Sequence, residues 1–216
     1  MTDFTGGNVR IMSTWAIVVA GGSGDRFGER KQYLALGHQR VLDWALGAAA
    51  AHADGVVLVV PTDVVAEPEP QADVVVAGGA TRSASVRAGL AAVPAEAATI
   101  VVHDAARPVP VPGVWERVLA AVASGADAAV PAVAVSDTLR EVGGTTVDRT
   151  RFVAVQTPQA FRATALRAAH TDASEGTDDA SLVEATGGRV VVVEGDPTNL
   201  KITTPHDLDV AELLCR

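Results

Sequence analysis

The chain has 216 residues, of which 48% are hydrophobic and only 4% aromatic, with a formal net charge of −9 and a pI near 4.9. So anionic a chain repels phosphate overall, which argues against non-specific nucleic-acid or membrane-surface binding, while 20% charged residues and a mean hydropathy of +0.24 exclude disorder for the bulk of it. A single cysteine, Cys215, rules out an internal disulfide and a four-cysteine zinc site.

The length fits one domain, and the lone thiol suits a reducing compartment. Residues 1–14 carry no apolar run of signal-peptide length and read as a flexible lead-in, with Met12 as a possible second start. The longest apolar runs are strand-sized, far below the roughly 20 residues of a membrane helix. A soluble, cytoplasmic protein without a membrane partner is expected.

Along the rest, 15–216, short β-branched runs alternate with alanine-rich stretches. Residues 15–20 (WAIVVA) predict a strand that runs into a glycine-rich loop, and 41–51 predict a helix. Residues 56–60 (VVLVV) predict a strand stopped by Pro61, and 74–76 another before Gly78-Gly79. Residues 83–93 predict a helix, since Val86, Leu90 and Val93 fall at i, i+4 and i+7. A strand at 100–102 ends at His103-Asp104. A helix follows at 112–123, with Pro112 in its first turn and Val114, Val118, Leu119 and Val122 on one face. Strands are predicted at 128–135 and 190–193. The last helix opens on Thr204 as N-cap, Pro205 at N1 and Asp207 at N3.

Strands that are apolar throughout are buried on both faces, the mark of a parallel sheet covered by helices. Right-handed crossovers then give an α/β fold with a doubly wound, mostly parallel sheet, whose ligand site lies at the carboxyl ends of the strands. Residues 136–158 break the rhythm. There 138–142 and 145–147 flank Gly143-Gly144 and predict a hairpin on a two-glycine turn. Its strands are polar and too short to stand alone, so this protruding β-arm needs its own sheet or another subunit.

Four stretches could carry chemistry. The first is Ala20-Gly21-Gly22-Ser23-Gly24-Asp25-Arg26-Phe27-Gly28-Glu29-Arg30-Lys31. Glycines let backbone amides approach an anion, but Phe27 breaks a dinucleotide-binding G-x-G-x-x-G, and Glu29 after Gly28 breaks a Walker A loop. Arg26, Arg30 and Lys31 supply cations for a triphosphate; a solvated glycine-rich turn fits the same residues equally well. In the second, His103-Asp104-Ala105-Ala106-Arg107-Pro108, the strand-end Asp104 could hold Mg²⁺ on nucleotide phosphates or cap a turn; His103 reads as a hydrogen-bonded structural residue. In the third, residues 198–208, Lys201 sits in a strand-like segment. It could balance phosphate charge, but an exposed lysine covering apolar surface is the favoured reading on residues alone. In the arm, Arg149 and Thr138 could offer a fork and a hydroxyl to a phosphomonoester, with an interface or solvated charge run favoured. No G-x-S-x-G or H-E-x-x-H is present.

Taken together and in order, these stretches resemble the 2-C-methyl-D-erythritol 4-phosphate cytidylyltransferases of the non-mevalonate isoprenoid pathway. The resemblance runs from about Trp15 to Leu214. It is carried by residues 20–28 with Lys31-Gln32-Tyr33-Leu34, by Gly78-Gly79 with Arg82 and Ser85-Val86, and by residues 103–108. Asp137-Thr138, Val147-Asp148-Arg149, Thr157-Pro158-Gln159 and Asn199-Leu200-Lys201 complete it.

The resemblance implies a Rossmann-like nucleotidyltransferase domain that takes CTP as co-substrate and Mg²⁺ or another divalent cation as cofactor. It implies transfer of CMP to methylerythritol phosphate with release of pyrophosphate. It implies that Arg26 and Lys31 stabilise the transition state and that Asp104 binds the metal. Arg149 and Lys201 would position the sugar phosphate with help from Thr138. Backbone at Ala20, Gly21, Gly22 and Gly79, with Ser85, would recognise the cytidine. It also implies a homodimer in which the arm reaches the twofold-related subunit.

Two positions depart from the family pattern: Arg30 stands where a proline is usual, and Ala80 where many relatives are acidic. Some relatives are fused to the cyclodiphosphate synthase of the same pathway, for which this length leaves no room. A cytidylyltransferase for another polyol phosphate, such as ribitol 5-phosphate, fits nearly as well. A non-catalytic nucleotide binder would require the cations to be missing.

Overall fold

The computed structural model describes residues 13–21, 30–171 and 175–215. At its centre is β1 (Thr14–Val19), paired in parallel with β4 (Gly55–Val60) on one side and β6 (Thr99–Asp104) on the other. Between β1 and β4 come a small ribbon of β2 (Ala35–Leu36) and β3 (Gln39–Arg40) and then helix α1 (Val41–Ala50). Strand β5 (Val74–Ala77) extends the sheet beyond β4 and leads into α2 (Arg82–Ala92). Past β6 come α3 (Pro112–Ala123), β7 (Ala128–Ala134), β8 (Val153–Val155) and β9 (Gln159–Arg162). Helices α4 (Ala163–Ala169) and α5 (Asp179–Ala185), strand β10 (Val190–Glu194) and helix α6 (Pro205–Leu214) complete the chain. The sheet order is β10-β7-β9-β6-β1-β4-β5, with β8 paired to β7.

Every residue of β4 is buried. Burial of a Val or Leu side chain contributes about 1.5–3 kcal/mol, enough to offset the roughly 1–2 kcal/mol of fixing its backbone. Alternate residues serve opposite layers. Ile17, Val57, Val59 and Val102 pack beneath Val86 and Leu90 of α2, Leu166 of α4 and Val183 of α5. Ala16, Val18, Leu58 and Val101 pack beneath Leu42 and Leu46 of α1 and Trp115 and Val118 of α3. Gly89 lets α2 lie close on the sheet: a Cβ there would meet Ile17 Cγ2 at 2.6 Å.

Most predicted elements are present to within a residue or two. The first strand starts at Thr14, the last residue of the expected lead-in, which pairs with Thr99; residues 1–12 lie outside the described residues. Helix α6 has the expected cap: Thr204 accepts from the Asp207 N–H, and the Asp207 carboxylate accepts from the Thr204 N–H. None of the described helices is long and apolar enough to cross a membrane.

Three features differ from expectation. The arm's turn is not a two-residue turn: Glu141 and Thr145 close around three residues, Arg140 pairs with Thr146, and Gly143 takes the positive φ of 74°. Residues 198–203 form no strand; the Ile202 N–H reaches the Ala106 carbonyl, and side chains hold the rest. Finally, β9 lies antiparallel between β6 and β7, because the arm folds the chain straight back along β7. The return strand also holds two more residues than β7 between the pairs Ala132–Val155 and Ala129–Ala160. Such a bulge re-aims side chains, and here it carries Gln156 and Thr157 towards the ends of β6 and β10.

Candidate active site

Six of the candidates, Ala20, Gly21, Gly79, Ser85, Asp104 and Lys201, meet at the carboxyl ends of β1, β5 and β6. Ala20 follows β1 and stays in register through its N–H to the Val59 carbonyl. Its own carbonyl accepts the buried Gln32 side-chain amide at 2.8 Å. That bond ties the 3-10 turn Lys31–Tyr33 to the strand end. Beyond β5, the Gly79 N–H donates to Ser85 Oγ at 3.2 Å, and Ser85 donates in turn to the Thr81 carbonyl at 2.9 Å. The Ser85 hydroxyl also stands beside Gly21, where an added Cβ would come within 3.3 Å of it. Ala20, Gly21, Gly79 and Ser85 therefore form one backbone-lined wall, shaped by glycines that let α2 approach.

Asp104 faces this wall from the end of β6. Its Oδ2 accepts Lys201 Nζ at 2.6 Å, and its Oδ1 lies 3.7 Å from Arg82 Nε. Lys201 is thus not merely a lysine covering apolar surface, and the Asp104 side chain does not cap the following turn. Burial pushes the Asp104 carboxyl up, but Lys201, then Arg82 and, more weakly, Arg107 outweigh it and hold it down to about 2. The carboxylate is ionised at any physiological pH.

The floor is a chain of hydrogen bonds. The Asp104 N–H donates to Thr157 Oγ1 at 3.0 Å, and Thr157 Oγ1 lies 3.2 Å from His103 Nδ1. Because His103 Nε2 faces the Arg107 carbonyl at 3.1 Å, Nε2 carries the proton and Nδ1 accepts from Thr157. Full burial, eased by the Asp104 charge, lowers the His103 pKa to about 4, so the ring is neutral and structural, as its sequence setting suggested. Asn199 donates to the Thr157 carbonyl at 2.9 Å, and Arg107 Nη1 donates to the Asn199 carbonyl at 2.6 Å, which fixes the loop carrying Lys201.

Not every candidate joins this cluster. Arg26 and Gly22 lie outside the described residues. Arg30 turns to Asp63, with Nη2 2.9 Å from Oδ1 and Nη1 2.8 Å from Oδ2, and so is engaged by a carboxylate in place of the phosphate partner expected for it. Thr138 and Arg149 are exposed on the arm, where Arg149 Nη1 donates to the backbone carbonyls of Val135 (2.9 Å) and Ser136. Sequence reasoning assigned no role to Arg82, Arg107, Thr157 or Asn199, although each stands in a quoted motif. Nor did it single out the pair His170–Asp179 behind Arg82. Only a buried acidic residue beside an apolar run, in Asp178-Asp179-Ala180, could have signalled it.

This geometry can bind a polyphosphate along glycine-lined backbone and surround its reacting phosphorus with cations. Comparisons agree with that chemistry. A family model described as IspD: 2-C-methyl-D-erythritol 4-phosphate cytidylyltransferase matches residues 14–216. The chain is 42% identical to the 2-C-methyl-D-erythritol 4-phosphate cytidylyltransferase of Nocardia farcinica over 94% of each chain. It is 40% identical to the bifunctional enzyme IspD/IspF of Nitratidesulfovibrio vulgaris over 91% of its own length and 57% of that protein, so it spans little more than half of such relatives. Among solved structures, that of the cytidylyltransferase from Thermus thermophilus superposes with a TM-score of 0.80 at 41% identity, covering 93% of this chain and 98% of that one.

Proposed function

The chain belongs to the 2-C-methyl-D-erythritol 4-phosphate cytidylyltransferase family, and from that we propose that it transfers CMP from CTP to 2-C-methyl-D-erythritol 4-phosphate. The products are 4-diphosphocytidyl-2-C-methyl-D-erythritol and pyrophosphate, in isoprenoid precursor biosynthesis in the cytoplasm. The observation that carries the reading is Asp104 held between Lys201 and Arg82 at the strand ends, beside the glycine-lined wall.

An oxygen of the sugar phosphate attacks the α-phosphorus of CTP. A P–O bond forms to the acceptor, the bond to the β-phosphate oxygen breaks, and its electrons leave with pyrophosphate. The nucleophile is already ionised, because a phosphomonoester has its second pKa near 6. No general base is needed, in keeping with the neutral His103. Catalysis then rests on position and charge. In this reading Arg26 and Lys31 balance charge on the α-phosphate and the leaving group. Lys201 and Arg149 seat the sugar phosphate, and Thr138 helps. Backbone at Ala20, Gly21, Gly22 and Gly79, with Ser85, frames the cytidine.

Asp104 is the residue to hold a divalent cation. Mg²⁺ characteristically takes one or two carboxylates and completes its shell with phosphates and water. Asp104 fits that manner of binding: it is ionised, and its Oδ1 makes no hydrogen bond to Arg82 at 3.7 Å. Among the described residues no group of three or more His, Cys, Asp or Glu converges as a metal site of its own. An ion there would neutralise phosphate charge.

The arm supports a homodimer. Phe152, Val153 and Val155 are 47%, 51% and 41% exposed on the arm's return and β8, apolar surface that a second subunit would cover. Across a twofold axis, Arg149 and Thr138 would serve the partner's site.

A panel of phosphorylated polyols with CTP tests the proposal. Pyrophosphate should be released with methylerythritol phosphate in the presence of Mg²⁺. A clear preference for ribitol 5-phosphate would move the assignment to another polyol phosphate, and no release with any acceptor would refute it.

A further inference from the structure

Behind Asp104 the charges continue inward. Arg82, on the first turn of α2, has its Nε 3.7 Å from Asp104 Oδ1 and its Nη2 2.8 Å from Asp179 Oδ2. Asp179 is completely buried at the first turn of α5, and its other oxygen, Oδ1, lies 2.9 Å from Nε2 of His170, at the end of α4. Lys201, Asp104, Arg82 and Asp179 thus form a line of alternating charge from the mouth of the site to the layer between α4 and α5. The transfer reaction, as derived above, uses Asp104 and Lys201 and leaves Asp179 and His170 without a task.

We propose that Asp179 is a positioning residue for the transfer reaction: it holds Arg82 from behind, so that the guanidinium steadies Asp104 without closing over it. The inference rests on the function proposed above. An arginine fork binds a carboxylate best in a bidentate manner. Released from Asp179, the Arg82 fork would close on Asp104, cover Oδ1 and compete with Lys201 for the same carboxylate. Asp179 prevents this because its own buried charge has to stay paired. The Asp179–Arg82 contact is a close ion pair, Nη2 to Oδ2 at 2.8 Å, while the other terminal nitrogen, Arg82 Nη1, has no hydrogen-bond partner among the described residues. It therefore acts as a charge tether. His170 fixes the carboxylate from the opposite side. A purely structural ion pair would serve stability alone and leave turnover untouched, and this difference is measurable.

The test compares the full-length wild type with Asp179→Asn, Asp179→Glu, Arg82→Gln and the double variant Asp179→Asn/Arg82→Gln. It reads pyrophosphate release, KM for each substrate and melting temperature. Asp179→Asn should lower kcat about 10- to 100-fold, the scale of a misplaced reacting group, with KM for CTP within about threefold of the wild type. Asp179→Glu should recover most of the loss, and the double variant should turn over no more slowly than Arg82→Gln alone. A wild-type kcat in Asp179→Asn, or losses that multiply in the double variant, would overturn the inference. Should Asp179→Asn fail to fold, Arg82→Lys decides. One ammonium cannot span both carboxylates, so kcat should fall on the same scale with an unchanged melting temperature, and wild-type turnover would contradict the claim. An inactive wild type would sink the proposed function together with this inference, whereas an active wild type with an unaffected Asp179→Asn variant would sink this inference alone.

Discussion

Asp104 shows how much of the site resides in a single side chain. Its carboxyl sits at about 2 because Lys201 and Arg82 outweigh the cost of its burial. An ordinary aspartate titrates near 3.9. A folded-state pKa below the unfolded one stabilises the protein above the unfolded value, and that contribution is lost as pH falls through the folded one. Acid should therefore weaken the fold between about pH 4 and pH 2, with Asp207 titrating in the same window, where the Thr203 and Thr204 donors overcome its burial. Replacing Lys201 by Met removes the largest charge holding Asp104 down. The stability of Lys201→Met followed from pH 5 downwards should fall by less than that of the wild type, because raising the folded-state pKa of Asp104 towards the unfolded one shrinks its acid-labile contribution. Superimposable profiles would mean that Lys201 and Asp104 are not coupled in solution. From the sequence, Asp104 and Lys201 were legible as residues, since one ends an apolar strand and the other stands in a quoted motif. Their contact was not, because they are 97 positions apart and four strands, β7 to β10, lie between them.

At the scale of elements, the loops at the strand ends are set by close approach. Gly79 stands where a Cβ would meet Ala84 Cβ at 2.5 Å. Gly79→Ala should push the first turn of α2, with Arg82 and Ser85, away from the wall. The expected cost is about 1–3 kcal/mol in urea unfolding, together with a raised KM for CTP; unchanged stability would show that the loop yields freely. Helices of ten residues or more were legible from periodicity and caps, as with Thr204 and Asp207 of α6. Helices α4 and α5 have seven residues each, too few for a 3.6-residue period to stand out. Strand β9 is four residues behind Pro158, and its antiparallel placement follows from the arm's return path, which local sequence does not encode.

For the whole molecule, the apolar strands foretold a parallel sheet covered on both faces, and the two packed layers around β1 bear this out. The arm's short polar strands call for their own sheet or another subunit; its return strand β8 joins β7 of the sheet, while its tip is held by the Arg140–Thr146 bridge and by the Glu141–Thr145 and Val147–Leu139 backbone bonds. Among the described residues strand β8 pairs only with β7, and no strand covers its other edge, beside exposed Phe152 and Val153. If the proposed dimer forms through the arm, Phe152→Asp should convert it to a monomer in sedimentation and lower turnover, since Arg149 would lose the subunit it is proposed to serve. Arg149→Ala should leave the oligomeric state as in the wild type, raise KM for the sugar phosphate and spare CTP binding. A wild-type chain that sediments as a monomer and still turns over at full rate would remove the arm from the mechanism.

The proposed reaction centre is the charge cluster at the end of β6, and Asp104→Asn tests it most directly, since it changes one charge and almost no volume. With CTP, methylerythritol phosphate and Mg²⁺ saturating, pyrophosphate release should fall by about 10²–10³, the range seen when one charge-stabilising group is lost. Release within threefold of the wild-type rate would place the chemistry somewhere other than Asp104.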